Sequence, residues 1–188
     1  WVINADADEF WLPTKGNLKD VFDKTPADVS VVAVDRKNFV TVNRRHRHFY
    51  EDMIFREKTS MNSMGEPLLP KICHRAFPEV VVRQGNHHIA EPKNLTKMNT
   101  DEISILHFPM RSFQQFENKI KLGGAAYERN KELDTMVGKT WRKLYDEYRE
   151  SGLENHYRTQ VMAEADIEEG LKNGSLLIDL RLKDFFSS

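Results

Sequence analysis

Cysteine occurs once in these 188 residues, at Cys73, so no internal disulfide can form and an oxidising compartment gains no support. A lone thiol of this kind ordinarily serves as a small apolar filler. Neither sign of charge is in excess: 28 Lys and Arg stand against 29 Asp and Glu, for a formal net charge of -1. That balance argues against a nucleic-acid binder held by bulk electrostatics and leaves only a local basic patch for such contacts. No apolar run approaches the roughly 20 residues that span a bilayer, and no secretory signal pattern opens the chain. The single thiol and the missing signal point to the cytoplasm, with the inner face of a membrane also open to such a chain. Several signature motifs are missing as well: there is no Walker lysine loop, no G-x-S-x-G elbow, no paired C-x-x-C and no H-E-x-x-H.

What is present fits one substantial domain with a real core. Trp1-Val2-Ile3-Asn4-Ala5 is an apolar run with neither an initiating Met nor a leading turn. It reads as a buried strand of a sheet whose first strands lie outside this sequence. Leu18, Val21 and Phe22 share one face of a short helix over residues 17–24, and Val29 to Val34 is a β-branched second internal strand. Strand, helix and strand in this order predict a βαβ unit of an α/β sheet. Residues 38–70 read as irregular, with a surface loop from Ser60 to Pro67. Further strands are expected over 71–76, 80–83 and 103–108, with a polar loop around 91–102. Ser112 and Gln115 form a capping-box pattern ahead of Phe113, Phe116 and Ile120, so a helix starts there. Leu133, Val137, Trp141, Leu144 and Tyr148 form an apolar stripe, and another helix is expected between Asn155 and Leu171. The division that results is an α/β core over residues 1–130 and a helical C-terminal extension over 131–188.

The acidic cluster Asp6-Ala7-Asp8-Glu9 is the sharpest chemical feature. In an extended segment, residues two apart point to the same side, so Asp6 and Asp8 can present their carboxylates together. At the carboxyl end of a strand, hard oxygen ligands suit Mg²⁺ or Mn²⁺ bridging to substrate phosphates. A solvated acidic turn is the alternative. In Gly85-Asn86-His87-His88, glycine permits a sharp turn and His87 or His88 can ligate a metal or move a proton; surface or structural histidines are the alternative. From Ile105 to Ser112 an apolar strand delivers His107, then Pro109, then Arg111 at a helix entrance, where an arginine and a helix N-terminus suit phosphate. The basic run from Arg44 to His48 reads best as a solvated loop.

Taken in order, W-V-I-N-A-D-A-D-E-F, V-S-V-V-A-V, L-L-P-K-I-C-H-R, G-N-H-H and I-L-H-F-P-M-R-S-F-Q-Q-F-E-N-K-I resemble the glycosyltransferase family 2-like group with its D-x-D-E-F signature. The resemblance covers roughly residues 1–125. It implies a GT-A fold, a Rossmann-like mixed sheet with flanking helices, and transfer of a sugar from a nucleoside-diphosphate donor to a glycan or other hydroxyl acceptor. It implies Mn²⁺ or Mg²⁺ on the donor diphosphate, with Asp6, Asp8 and His107 matching the metal positions. Asp6, Lys71 and Arg111 match positions that line the donor site, with Glu9 beside them, and His87 matches a further site position. An inverting transfer needs a base; Glu51 and Asp52 are the candidates by position, with Asp52 preferred, and His87 is the other proton-transfer candidate. The strand–helix–strand unit that normally holds the nucleotide base is not matched here, so weak donor binding is expected of this stretch. A metal-dependent nucleotidyltransferase or phosphohydrolase, or a non-catalytic domain of the same fold, are the competing readings.

Overall fold

The computed structural model describes residues 1–62, 65–134 and 137–187. Its architecture is mixed α/β. The main sheet contains β1 (Val2–Ile3), β2 (Glu9–Pro13), β3 (Val31–Asn38), β5 (Lys71–His74) and β8 (Lys97–His107) in the order β1-β5-β3-β8-β2. Two small ladders flank it: β4 (Phe55–Glu57) with β9 (Leu176–Ile178), and β6 (Val81–Val82) with β7 (Ile89–Glu91). The helices are α1 (Leu18–Lys24), α2 (Phe49–Asp52), α3 (Phe113–Arg129), α4 (Lys139–Ser151), α5 (Glu154–Gln160), α6 (Glu164–Asn173) and α7 (Arg181–Ser187).

Helix α1 forms where its periodicity placed it. Asn17 caps it by accepting the Asp20 N–H, and Val21 and Phe22 are buried. The βαβ expectation changes, however. The strand leading into α1 is β2, which pairs antiparallel with β8, and β8 separates it from β3. Among the described strands the one parallel ladder is β3 with β8. Nor is β1 an internal strand: it lies at the sheet edge against β5, with Val2 exposed. Strand β2 escapes a sequence reading because it begins on Glu9 and ends on Pro13, neither a usual strand residue.

Strand β8 starts in the segment expected to be a polar loop. Alternate residues of its first half face water, so the segment lacks the apolar run of a buried strand. Within the stretch read as irregular, α2 and β4 are too short to carry a periodic signal. Of the surface loop expected over 60–67, Ser63 and Met64 lie outside the described residues; Met61 and Pro67 bridge across its base.

Two apolar clusters sandwich the sheet. On one face Trp11, Val32, Val34, Cys73, Ile103 and Ile105 meet Val21 and Phe22 of α1. Cys73 is fully buried here, and burial pushes its thiol up to about 12, as suits a filler rather than a nucleophile. On the other face Phe39, Leu106 and Phe108 pack with Ile167, Leu176 and Leu182. The segment after residue 131 is therefore not helical throughout. It supplies β9 and shares this second core. The helix expected over 155–171 is two helices, because Val161 bridges to Thr41 and the Met162 N–H donates to the Thr41 carbonyl. Helix α4 begins only at Lys139, so Leu133 and Val137 precede it.

Helix α3 starts at its expected cap. Ser112 accepts the Gln115 N–H, and the Gln115 side chain reaches back to the Arg111 N–H. Gly123 and Gly124 let α4 lie against its backbone: a Cβ on Gly123 would stand 2.2 Å from the Trp141 ring, and one on Gly124 2.4 Å from the Tyr145 Cβ.

Candidate functional site

One end of the main sheet gathers the polar side chains. Strand alternation that buries Trp11, Val34, Cys73 and Ile105 on one face also places Glu9, Arg36, Lys71 and His107 on that face, beyond the apolar cluster. Register makes this concrete, since Asn38 pairs with His107 across β3–β8 and Glu9 pairs with His107 across β2–β8. The three form a single rung at the carboxyl end of the parallel pair, the end at which open α/β sheets bind ligands.

The chain from β1 to β2 passes from one edge of the sheet to the other, carrying Asp6 and Asp8 across this end. It is not extended there. The Glu9 N–H closes a turn on the Asp6 carbonyl, and the Phe108 N–H joins Asp8 to β8. The turn sends the two carboxylates to different partners, which corrects the expectation that they point together. Asp6 Oδ2 receives Lys71 Nζ at 2.5 Å, and its Oδ1 receives the Asn86 amide at 3.3 Å. Asp8 Oδ2 receives the Lys119 ammonium from α3 and faces His107 Nε2 at 3.7 Å. Burial alone would raise the Asp8 carboxyl, but His107 and Lys119 outweigh it and hold the group well below the usual carboxylate range.

Beneath this layer lies Glu9, whose side chain is 0% exposed. Lys71 Nζ lies 3.4 Å from Glu9 Oε1 and Arg36 approaches the same oxygen at 4.0 Å, yet Oε1 makes no directed hydrogen bond with protein. Charge, not hydrogen-bond geometry, neutralises it. The Lys71 side chain, 2% exposed, is enclosed between Asp6 and Glu9. It holds the acidic turn in place and turns no free ammonium toward a ligand. Sequence reasoning missed Arg36, Asn38, Lys119 and Glu57. Arg36 and Asn38 carry a detectable signal, since they continue the alternation of Val32 and Val34 by two and four residues.

The orientation of His107 is fixed from behind. Its Nδ1 meets Asn38 Oδ1 at 3.0 Å, while the Asn38 amide nitrogen donates to Glu57 Oε2 at 3.3 Å. Asn38 thus presents its oxygen to the ring, Nδ1 carries the proton, and Nε2 is left to hold a proton or an ion toward Asp8. Asn38→Leu removes that acceptor. For the neutral ring, ¹⁵N spectra of His107 are expected to show the Nδ1–H form in the native chain. A hydrogen bond of about 1 kcal/mol is lost in the variant, a roughly fivefold shift of the tautomer ratio toward Nε2–H. An unchanged ratio would remove Asn38 from this role.

His87 lies beside the same network. The turn at Gly85 brings it there; a Cβ at that position would meet the His87 ring at 2.7 Å, and the backbone φ is +79°. His87 Nδ1 meets the Pro70 carbonyl at 2.8 Å, next to Lys71. Burial lowers the His87 pKa and outweighs the Pro70 hydrogen bond, and Lys71 and Arg36 push the same way, so a neutral ring with Nε2 open is favoured. Asp52 is placed differently. Its carboxylate accepts the N–H groups of Arg45 and His46 and meets the His46 ring at 2.6 Å, pinning the basic loop. Glu51 likewise reaches back to the His48 N–H. Arg111 stacks on Phe49 at 5.3 Å and keeps a buried Nε without a protein partner. A cleft of about 380 Å³ lies at the opposite end of the β2–β8 ladder, lined by Thr14, Lys15, Asp20 and Glu102, away from these groups.

Among the described residues, no group of three or more carboxylate, imidazole or thiol donors could hold an ion by itself. Asp8 and His107 could supply two ligands after a small side-chain adjustment: bonds of about 2.1 Å to an octahedral ion place neighbouring donors about 3.0 Å apart and opposite donors about 4.2 Å apart, and the observed 3.7 Å matches neither as it stands. Magnesium and manganese commonly take one or two protein ligands and complete their shell with phosphates and water. No protein-family model, curated protein or solved structure matches this chain. Among the described residues, no helix is long and apolar enough to cross a membrane.

Proposed function

We propose that this chain carries the catalytic site of a metal-dependent glycosyltransferase, transferring a sugar from a nucleoside-diphosphate donor to a hydroxyl acceptor. The observation that carries this reading is the meeting of Asp8 and His107, 99 positions apart in sequence, at 3.7 Å beside a set of cationic side chains. The ordered resemblance of residues 1–125 to family 2-like enzymes supports the same reading.

Asp8 and His107 would hold the ion, which would supply positive charge to neutralise the departing diphosphate. Asp6, steadied by Lys71 and Asn86, keeps a half-exposed carboxylate for the donor's hydroxyls. Arg111, at the entrance of α3, offers its guanidinium to phosphate oxygens. His87 Nε2 takes the proton of the acceptor hydroxyl. The hydroxyl oxygen bonds to the anomeric carbon as the bond from that carbon to the diphosphate oxygen breaks, and the electron pair leaves with the nucleoside diphosphate. With its carboxylate bound to its own loop, Asp52 is not assigned the base.

A thermal melt of the chain with Mn²⁺ and each common nucleoside diphosphate tests this. The expected result is a stabilisation that needs both components, seen at the high ligand concentrations that weak donor binding demands. No metal-dependent shift with any of them would overturn the reading.

A further inference from the structure

We infer that Lys119 is a displaceable internal cation: in the resting chain its ammonium occupies the place of the divalent ion on Asp8, and the ion enters by driving it off. This rests on the assignment of Asp8 and His107 as the metal pair.

The Lys119 ammonium is bound to Asp8 Oδ2, the same oxygen that faces His107 Nε2. An ion bridging that oxygen and that nitrogen would stand beside the ammonium, and two positive charges at such a separation repel strongly where water is scarce. The charge balance agrees. Asp6, Asp8 and Glu9 are matched by Arg36, Lys71 and Lys119, so a dication can join only if a positive charge withdraws or negative charge arrives with it.

Of the three cations, Lys119 is the one able to withdraw. The Lys71 side chain is 2% exposed and that of Arg36 12%, both behind the acidic turn; that of Lys119 is 29% exposed, on the rim. In its resting position the ammonium already lies over the Trp141 ring, 5.6 Å from its centroid, and α4 holds that ring against the backbone at Gly123. A flexible four-carbon stem can keep that indole face and exchange the carboxylate for water without moving α3.

The experiment is direct Mn²⁺ binding, by calorimetry and by the electron paramagnetic resonance signal of free Mn²⁺, on the 188-residue chain. Lys119→Met keeps the packing on Trp141 and is expected to bind Mn²⁺ about tenfold more tightly than the native chain. Lys119→Arg should stay within about twofold of native. Lys121→Met, which removes an exposed charge two residues along α3, should change nothing. Adding Asp8→Asn to Lys119→Met should abolish the gain. Circular dichroism confirms that each variant is folded.

Equal or weaker binding by Lys119→Met, or an equal gain in Lys121→Met, would overturn the inference. If native and Lys119→Met bind alike while Asp8→Asn binds nothing, the metal pair stands and the displaced cation falls. If neither native nor Lys119→Met binds Mn²⁺, both fall.

Discussion

Asp8→Asn is expected to remove the whole of the stabilisation that Mn²⁺ and a nucleoside diphosphate give together. At about 100 times the dissociation constant, a ligand of the native state adds roughly 2.7 kcal/mol. For a chain of 188 residues, that raises the melting temperature by roughly 5–10 °C. An amide keeps the shape of the carboxylate but supplies no charge to the ion, so that shift should vanish. Without ligand the variant should also lose some stability, since Asp8 is buried and its charge is held by His107 and Lys119. The diagnostic readout is therefore the difference between melts with and without ligand, measured within each variant. A variant that still shows the native metal-dependent shift would take Asp8 out of the ion site.

Lys71→Met is expected to have its main effect on the free protein. Removing one partner of a buried ion pair leaves an uncompensated charge, at a cost of roughly 3–5 kcal/mol. The case applies here because Glu9 is fully buried and its Oε1 makes no hydrogen bond that could take over. Arg36, at 4.0 Å from that oxygen, is a distant substitute. Such a loss is a large share of the roughly 5–15 kcal/mol that stabilises a typical domain, and the melting temperature should fall by roughly 6–20 °C. Adding Glu9→Gln removes the stranded charge and should restore more than half of the loss. Asp6 needs no such rescue, since its side chain is 49% exposed. A fall of less than about 1 kcal/mol in the single variant would mean that Lys71 does not neutralise Glu9.

Legibility in the sequence followed the range over which each physical signal acts. Helices α1 and α3 could be read because capping and apolar spacing are local: Asn17 and Ser112 each accept an N–H three residues ahead. The D-x-D pair, His87 and His107 could be singled out because they follow strands or glycine turns. Their relation to one another could not be read. Lys119 looks like an ordinary charge one place ahead of Ile120, and only the docking of α3 aims it at Asp8. Lys71 looked like a ligand-binding residue because nothing local reveals that Glu9 lies buried beneath the acidic turn. The two carboxylates would act together only on an extended backbone. A single backbone hydrogen bond, from Glu9 to Asp6, redirects them. Strand order is the least legible property, since the insertion of β8 between β2 and β3 depends on pairings between residues 66 to 98 positions apart.

The pairing of β3 with β8 breaks once, between Val34 and Arg36, where the partner on β8 moves from Thr100 to Ile105. Two steps along one strand are met by five along the other, so residues 101–104 are slack on that side. Residues 103–107 are meanwhile fastened to β2, through the pairs from Pro13–Ile103 to Glu9–His107. The strand is thereby divided into two independently registered lengths. A residue gained or lost at 101–102 would disturb the Thr14 bonds to the Asp101 and Glu102 carbonyls, but the pairs with β2 from Ile103 onward would still keep His107 on its face, where the same change in an unbroken ladder would rotate it. The histidine is indexed to the acidic turn through β2 rather than to the start of its own strand. The outer half of β8 is thus free to vary in length while the chemistry at its end stays in place.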